Sequence, residues 1–325
     1  MIDMGKFRKW IAVAVCCAMV FMLASCAKGG ASADKTYVVG ISQLVQHEAL
    51  DAATKGFRDA LTEKLGDKVR FDEKNAQGDS STAATIANGF VSAKVDLIMA
   101  NATPALQAAA AATGDIPILG TSITEYGVAL GLKDFNGTVG GNISGTSDLA
   151  PLDQQAAMIK EFFPDAANVG LLYCSAEPNS LYQVETVKVM LEEMGYTCTM
   201  YPFADTNDLA AVATTAANAS DVIYVPTDNT VASNTGIIDS ICQPAGVPII
   251  AGEKGICVGC GVATLSIDYY DLGYATGEMA YKVLTGESDI STMPVAYAPK
   301  FEKLYNPAIA EALSITPPAG YAPIG

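Results

Sequence analysis

Four short turns in the first half of the chain share one chemistry. Ser42-Gln43-Leu44-Val45-Gln46-His47, the run from Asn75 to Ser81, Asn101-Ala102-Thr103 and Thr121-Ser122-Ile123-Thr124 are rich in hydroxyls and amides, and each leads into or lies near the start of a helical segment. Free N–H groups and the positive end of the helix dipole favour a carboxylate at such places. No arginine falls in any of these turns, and the only lysine expected nearby is Lys254 of the second half. Phosphates and dicarboxylates usually meet an arginine fork. The turns therefore suit a singly charged carboxylate, with Ser42, Gln43, Ser80, Thr103 and Thr124 as candidate contacts. Turns of the second half carry the opposite sign. Ser175-Ala176-Glu177-Pro178-Asn179-Ser180, Thr227-Asp228-Asn229 and Gly252-Glu253 place acids beside amides. Glu177 and Asp228 are candidate acceptors for an ammonium group, with Asn179, Ser180 and Asn229 beside them. Carboxylate on one wall and ammonium on the other describe an α-amino acid, and a buried charged ligand needs partners of this kind. Tyr126, Tyr182, Tyr269 and Tyr270 are candidates for packing on an aromatic side chain, and Tyr269 is carried as the site residue.

Several of these residues also have a plain structural reading. Ser80 and Asp208 are good helix caps in any protein, and Asp228 is either a cap or a ligand group. His47 is the sole histidine and reads more readily as a satisfied structural residue. Glu253 and Lys254 can pair at the surface. Cys257-x-x-Cys260 suggests a redox pair or half a zinc site, but a structural zinc needs four ligands and no second pair exists. Cys174, Cys198, Cys242, Cys257 and Cys260 are read as buried thiols, at most with one adventitious disulfide. No G-x-S-x-G, P-loop, H-E-x-x-H or complete post-strand G-x-G-x-x-G occurs. The expectation is a binding protein and not an enzyme, with no catalytic residue, metal or cofactor.

The elements that hold these turns alternate. Tyr37–Ser42, 69–73, 95–100 and 116–121 read as β-branched or apolar strands. Between them, Glu48–Leu65 carries Leu50, Ala53, Phe57, Leu61 and Leu65 on one helical stripe, 82–93 is helical, and 104–113 starts with proline. A Gly-rich stretch at 139–143 ends this series. The second series has strands at 169–173, 197–201, 222–226 and 247–251, and helices at 179–194, 208–219 and 229–243. The two are a repeat. Val39-Gly40-Ile41 aligns with Val169-Gly170-Leu171, Val95-Asp96-Leu97-Ile98 with Ser220-Asp221-Val222-Ile223, and Asp115-Ile116-Pro117-Ile118 with Gly246-Val247-Pro248-Ile249, at offsets of 130, 125 and 131 residues. Alternation implies parallel sheets with right-handed crossovers. The fold class is thus α/β, with two doubly wound parallel-sheet lobes, and ligands of such sheets sit beyond the carboxyl ends of the strands. A further strand at 262–266, a helix at 270–284 with Leu272, Ala275, Met279 and Val283 on one stripe, and a short strand at 294–298 follow.

The chain of 325 residues carries a formal charge of −16 and three arginines, Arg8, Arg58 and Arg70. That balance argues against nucleic acid and anionic lipid as partners. Its half-hydrophobic composition is enough for two cores. Lys6, Arg8 and Lys9 precede an apolar run from Trp10 to Ala24, short for a membrane span. Leu23-Ala24-Ser25-Cys26 resembles the bacterial lipobox, so 1–25 is expected to be a signal peptide, Cys26 the lipidated first residue and 26–34 a polar tether. This places the protein on the extracytoplasmic face of the cell membrane, held by its lipid.

Asp268-Tyr269-Tyr270-Asp271-Leu272-Gly273 with Ala275-Thr276-Gly277-Glu278-Met279-Ala280, Val225-Pro226-Thr227-Asp228-Asn229, and Gly40-Ile41-Ser42-Gln43 with His47-Glu48-Ala49-Leu50-Asp51 carry a family resemblance. The chain resembles the substrate-binding lipoproteins of ABC transporters, in particular those associated with tryptophan and tyrosine. The resemblance implies a type I periplasmic binding-protein fold whose chain crosses between lobes three times: 35–147 plus 262–289 in lobe one, 148–261 plus 290–325 in lobe two. It further implies a monomeric receptor that hinges closed on an amino acid and delivers it to a permease driven by an ATPase. A ligand-sensing or adhesive surface lipoprotein, and a receptor for a branched-chain amino acid or another small carboxylate, remain the alternatives.

Overall fold

The computed structural model describes residues 35–324. The expected signal peptide, the lipidation site at Cys26 and the tether lie outside the described residues. The first sheet takes β1 (Tyr37–Gln43), β2 (Val69–Asn75), β3 (Leu97–Asn101), β4 (Ile118–Ile123) and β5 (Ile143–Ser147), joined by helices α1 (Glu48–Leu65), α2 (Ser80–Ala93), α3 (Thr103–Ala112) and the short α4 (Tyr126–Leu130). The chain then enters a second body through α5 (Leu152–Phe162). There β6 (Asn168–Cys174), β7 (Thr197–Phe203), β8 (Val222–Val225), β9 (Ile249–Ala251) and β10 (Ala263–Ser266) alternate with α6 (Pro178–Glu193), α7 (Thr206–Ala219), α8 (Asn229–Ala232), α9 (Thr235–Cys242) and α10 (Lys254–Gly259). Helix α11 (Tyr269–Leu284) returns to the first body. The chain ends with β11 (Ala296–Tyr297), β12 (Glu302–Tyr305), α12 (Pro307–Ala312) and β13 (Ala322–Pro323).

The sheet orders are β2-β1-β3-β4-β5-β11 and β7-β6-β8-β9-β10-β12-β13. The first five strands of each sheet follow one another in the same order, so the sequence repeat is a repeat of topology. It reaches single side chains. The Asp96 carboxylate accepts from the Val38 N–H at 2.8 Å, and Asp96 N donates to the Val38 carbonyl at 2.7 Å. At the aligned place in the second lobe, Asp221 accepts from the Ala167 and Asn168 N–H groups, and its own N–H donates to the Asn168 carbonyl. These backbone donors hold the Asp221 carboxyl below its ordinary pKa. Gly40 and Gly170 recur for want of space: an added Cβ would stand 2.7 Å from the Phe90 ring in one lobe and 2.5 Å from the Ser220 hydroxyl in the other.

Each lobe packs apolar layers on both faces of its sheet, as doubly wound sheets require. The sheets are linked by three crossings, at 148–151, 267–268 and 298–301. Two expected boundaries need correction. Ala263–Ser266 lies in the second sheet, parallel to β9 and antiparallel to β12, so lobe one resumes after it and not at 262. The segment around 290–298 stays with lobe one, because Ala296 and Tyr297 pair with Thr146 and Ser147 of β5. A small cluster of Ala49, Ala53, Ile267, Tyr269 and Leu272 sits where the crossings gather.

Two helices also differ from expectation, while the thiols agree with it. The helix expected over 229–243 is two, α8 and α9, broken at Ser233-Asn234. Helix α5, with Leu152, Ala156, Met158 and Ile159 buried, was not read from the sequence. The five expected thiols are free, and four of them are buried. The Cys257 and Cys260 thiols bond to the Gly261 and Ile256 carbonyls, and no metal-binding group is found among the described residues.

Candidate ligand-binding site

The carboxyl ends of both sheets face a cleft of about 470 Å³ whose walls include Leu44, Ser80 and Pro104 of the first lobe and Cys174, Glu177 and Asn229 of the second. The lobes touch across it. His47 Nε2 lies 3.2 Å from Asn229 Oδ1, so the sole histidine is a cross-cleft latch, a role its type alone did not single out. Burial lowers the His47 pKa, against the raising effect of the Asn229 hydrogen bond and nearby Glu177.

Glu177, 4% exposed, closes the second lobe's side of that bridge. Its Oε1 accepts from the Thr230 N–H at 2.9 Å and hydroxyl at 2.8 Å; its Oε2 accepts from the Asn229 N–H at 3.1 Å and side-chain amide at 2.6 Å. The carboxylate thus caps α8 from a neighbouring loop. Asp228 caps the same helix through Val231 N at 2.9 Å, and its other oxygen accepts from Cys174 N at 2.7 Å. Of the two readings held for Asp228, the cap is the one built here, and both its oxygens are engaged within lobe two. Glu253 likewise caps α10 through the Gly255 and Ile256 N–H groups, and does not pair with Lys254.

Lobe one divides its expected residues differently. The Gln43 amide is taken up inside the lobe: Nε2 donates to Asp51 at 2.6 Å and to the Val45 carbonyl at 2.9 Å, while Oε1 accepts from Thr54 at 2.6 Å. Asn101 joins through Thr54 and the Leu50 carbonyl, so this network fixes α1 on the strand ends and leaves Gln43 no free group for a ligand. Ser80 lines the cleft but is not the cap, which falls on Asp79 bonding Thr82 N at 2.6 Å; the cap expected at Asp208 is Asp205, bonding Asn207 N. Ser42 and Ser122 are buried, and neither hydroxyl has a partner. Ser122 also adopts φ 56°, a left-handed conformation unusual outside glycine. Thr103 and Thr124 are buried at the ends of β3 and β4. Asn179 and Ser180 are buried beside Glu177, and Asn179 Oδ1 is unpartnered.

The tyrosines separate cleanly. Tyr126 belongs to the first lobe's core, its hydroxyl donating to the Gly120 and Thr146 carbonyls. Tyr270 lies on the outer face against Asp59 and Lys55. Tyr182 is half-buried on α6. Tyr269, 6% exposed, donates to Asp148 Oδ2 at 2.9 Å between the first two crossings. Asp148 was absent from the sequence candidates.

Burial raises the Asp148 pKa to about 6 and the Glu253 pKa to about 7; burial and then Glu177's charge raise Asp228 to about 7. A carboxyl with a higher pKa folded than unfolded contributes stability fully below about pH 4, its unfolded value, and loses it as pH climbs through the folded value. His47 acts in the opposite sense, one group against three. The melting temperature should therefore fall between about pH 5 and pH 8 by about 3 °C or more, the shift given by roughly 1 kcal/mol in a large domain. Scanning calorimetry across that range checks it, and a flat or rising profile would contradict the buried-acid account.

Two repeated parallel-sheet lobes, three crossings and a polar cleft at the strand ends define a two-lobed α/β small-molecule binding protein. The chain belongs to the ABC transporter substrate-binding family, whose profile, described as ABC transporter substrate binding protein, matches residues 38–320. It is 38% identical over 280 residues to the tyrosine-binding protein of Clostridioides difficile strain R20291, covering 85% of this chain and 81% of that one. The Streptococcus pneumonia ABC domain solved in complex with L-Trp is 36% identical and superposes with a TM-score of 0.84 over 89% of this chain and 100% of that one. A ligand-free, open structure of a Clostridium difficile substrate binding protein with adhesive properties is 37% identical and covers the same 89% of this chain and 99% of that one, but its TM-score is 0.67. At nearly equal identity, the better fit to the liganded structure agrees with lobes that already meet through His47 and Asn229. Among the described residues no helix is long and apolar enough to cross a membrane.

Proposed function

We propose that this protein is the lipid-anchored, extracytoplasmic receptor of an ABC importer and captures tyrosine or tryptophan by closing its lobes. The observation that carries the reading is the set of unsatisfied groups at the strand ends. Ser42 and Ser122 present buried hydroxyls without partners, while Asp148 presents a buried carboxyl oxygen without one. No ion pair reaches Asp148 among the described residues. Buried polar groups are normally hydrogen-bonded, and a zwitterionic α-amino acid answers donors and acceptor together. The tyrosine-binding relative and the L-Trp complex support the aromatic side chain. Leu23-Ala24-Ser25-Cys26 supports the lipid anchor, and membership of the ABC transporter substrate-binding family supports a monomeric receptor that delivers to a permease. Calorimetric titration with L-tyrosine, L-tryptophan and L-leucine tests the ligand: saturable binding of one aromatic acid and weaker binding of leucine are expected. Saturation by leucine alone would move the receptor to branched-chain ligands. A second reading, surface adhesion, is favoured by the adhesive properties of the C. difficile relative. Normal uptake of labelled tyrosine and tryptophan by cells lacking the protein, with attachment impaired, would support it over import.

A further inference from the structure

Among the described residues, four buried carboxyls stand at the strand ends: Asp148, Glu177, Asp228 and Glu253. Any of them has the charge to hold an ammonium group, and geometry separates them. Both oxygens of Glu177 accept from Asn229 and Thr230. Both oxygens of Asp228 accept backbone N–H groups, from Val231 and Cys174. Glu253 accepts from Gly255 with one oxygen and Ile256 with the other. These three are helix caps. Asp148 caps nothing. Its Oδ2 accepts from the Tyr269 hydroxyl at 2.9 Å, and its Oδ1 is buried without a partner.

Its surroundings come from both lobes. Asp148 is the first residue past β5, and its N–H donates to the Ile123 carbonyl at the end of β4. Tyr269 opens α11, next to the second crossing. The Thr124 hydroxyl of lobe one favours the ionised Asp148, and the Thr227 hydroxyl of lobe two favours the ionised Tyr269. Among the described residues, the titratable groups that act on this site, Glu253, Tyr126 and Tyr269, include no cation. An isolated buried carboxylate is unfavourable, and an incoming cation would relieve it.

We propose that Asp148 Oδ1 is the acceptor for the ligand's α-ammonium group, with Tyr269 the positioning residue that fixes the carboxyl through Oδ2. This inference rests on the amino-acid reading above. It moves the ammonium from the sequence candidates Glu177 and Asp228 to a residue at the hinge, where both lobes contribute to the ligand's recognition. Sites built to hydrogen-bond a group reject the analogue lacking it by large factors.

The test compares each amino acid with its des-amino analogue by calorimetry: L-tyrosine against 3-(4-hydroxyphenyl)propanoate, and L-tryptophan against 3-(indol-3-yl)propanoate. The unaltered protein should prefer the amino acid by on the order of 100-fold or more. In Asp148→Asn, which keeps the shape and an acceptor for Tyr269, that preference should collapse to about tenfold or less, through weaker amino-acid binding and analogue binding that is unchanged or tighter. A preference that survives Asp148→Asn overturns the inference while leaving the aromatic reading intact. Binding of neither amino acid by the unaltered protein overturns both. Should Asp148→Asn fail to fold, Tyr269→Phe carries the test: the carboxyl remains but loses its tether, the preference should fall several-fold, and an unmoved preference again overturns the assignment.

Discussion

Gly273→Ala is expected to destabilise the protein by about 3 kcal/mol, at the upper end of what overpacking usually costs, and to lower its melting temperature by roughly 6 °C or more. Helix propensity alone points the other way, since alanine is about 1 kcal/mol better than glycine inside a helix. Space decides between them. A Cβ on Gly273 would lie 1.9 Å from the Ala53 carbonyl oxygen and 2.6 Å from its carbon. Across the same contact, a Cβ on Gly56 would lie 2.1 Å from the Tyr270 carbonyl oxygen, and one on Gly277 2.7 Å from Ala60 Cβ. Helices α1 and α11 thus cross backbone against backbone, on small residues of both, and no flexible side chain is there to swing away. One helix must shift by about an ångström, and α11 begins at Tyr269, which fixes Asp148. The variant should therefore lose ligand affinity as well as stability. Gly89, on α2 with open space around it, supplies the control: Gly89→Ala should be neutral or stabilising by up to about 1 kcal/mol. Thermal unfolding of the two variants side by side reads the result. A Gly273→Ala protein as stable as the unaltered one would mean that the crossing is loose.

The architecture was legible in the sequence because it rests on periodicity. Glu48–Leu65 was bounded to the residue by its apolar stripe, and the two strand series fell in order because β-branched runs alternate with helical ones. The crossings were less legible. Ala263–Ser266 has the composition of any buried strand, and only pairing with β9 and β12 places it in the second sheet. The site was readable by residue type and not by hydrogen-bond use. A carboxylate that caps a helix and one that waits for an ammonium look alike in a sequence, so Asp228 and Glu177 stood equal to any other acid. Gln43 had the right chemistry, but Asp51 and Thr54, one and two helical turns into α1, take up its amide. Asp148 did carry a signal. It follows a strand of small polar residues, Ile143 to Ser147, and exits that strand as Ser42, Thr103 and Thr124 sit by theirs. No strand was read there, only a Gly-rich stretch over 139–143, because Gly145 and the serines have low strand propensity, and the exit residue went unconsidered. His47 was read as a structural residue, but its partner could not be named, because Asn229 is 182 residues away.

Glu177→Ala is the second change with a large expected effect, and it acts on both the fold and lobe closure. The substitution strips the acceptor from the buried Asn229 N–H and the part-buried Thr230 N–H, and from the Asn229 amide and the Thr230 hydroxyl. Each buried donor left unsatisfied costs about 1–3 kcal/mol. One effect opposes this loss: removing Glu177 relieves the like charge that helps to raise Asp228. With both acids lying over the positive end of α8, the lost acceptors outweigh the repulsion, and a net loss of about 2–3 kcal/mol is expected. Closure weakens by a separate route. Glu177 holds the Asn229 amide nitrogen at 2.6 Å, which turns the amide oxygen toward His47 across the cleft; without it the Asn229 side chain is free to rotate. His47→Ala separates the two consequences, because it removes the cross-cleft bond and leaves the cap on α8 in place. Melting temperature should fall markedly in Glu177→Ala and little in His47→Ala, while small-angle scattering should show a more open ligand-free molecule in both. Glu177→Gln should fall between, since its amide keeps one oxygen for the two N–H groups but turns a second donor toward them. A Glu177→Ala protein with unchanged melting and unchanged compactness would show that water, and not this carboxylate, satisfies the start of α8.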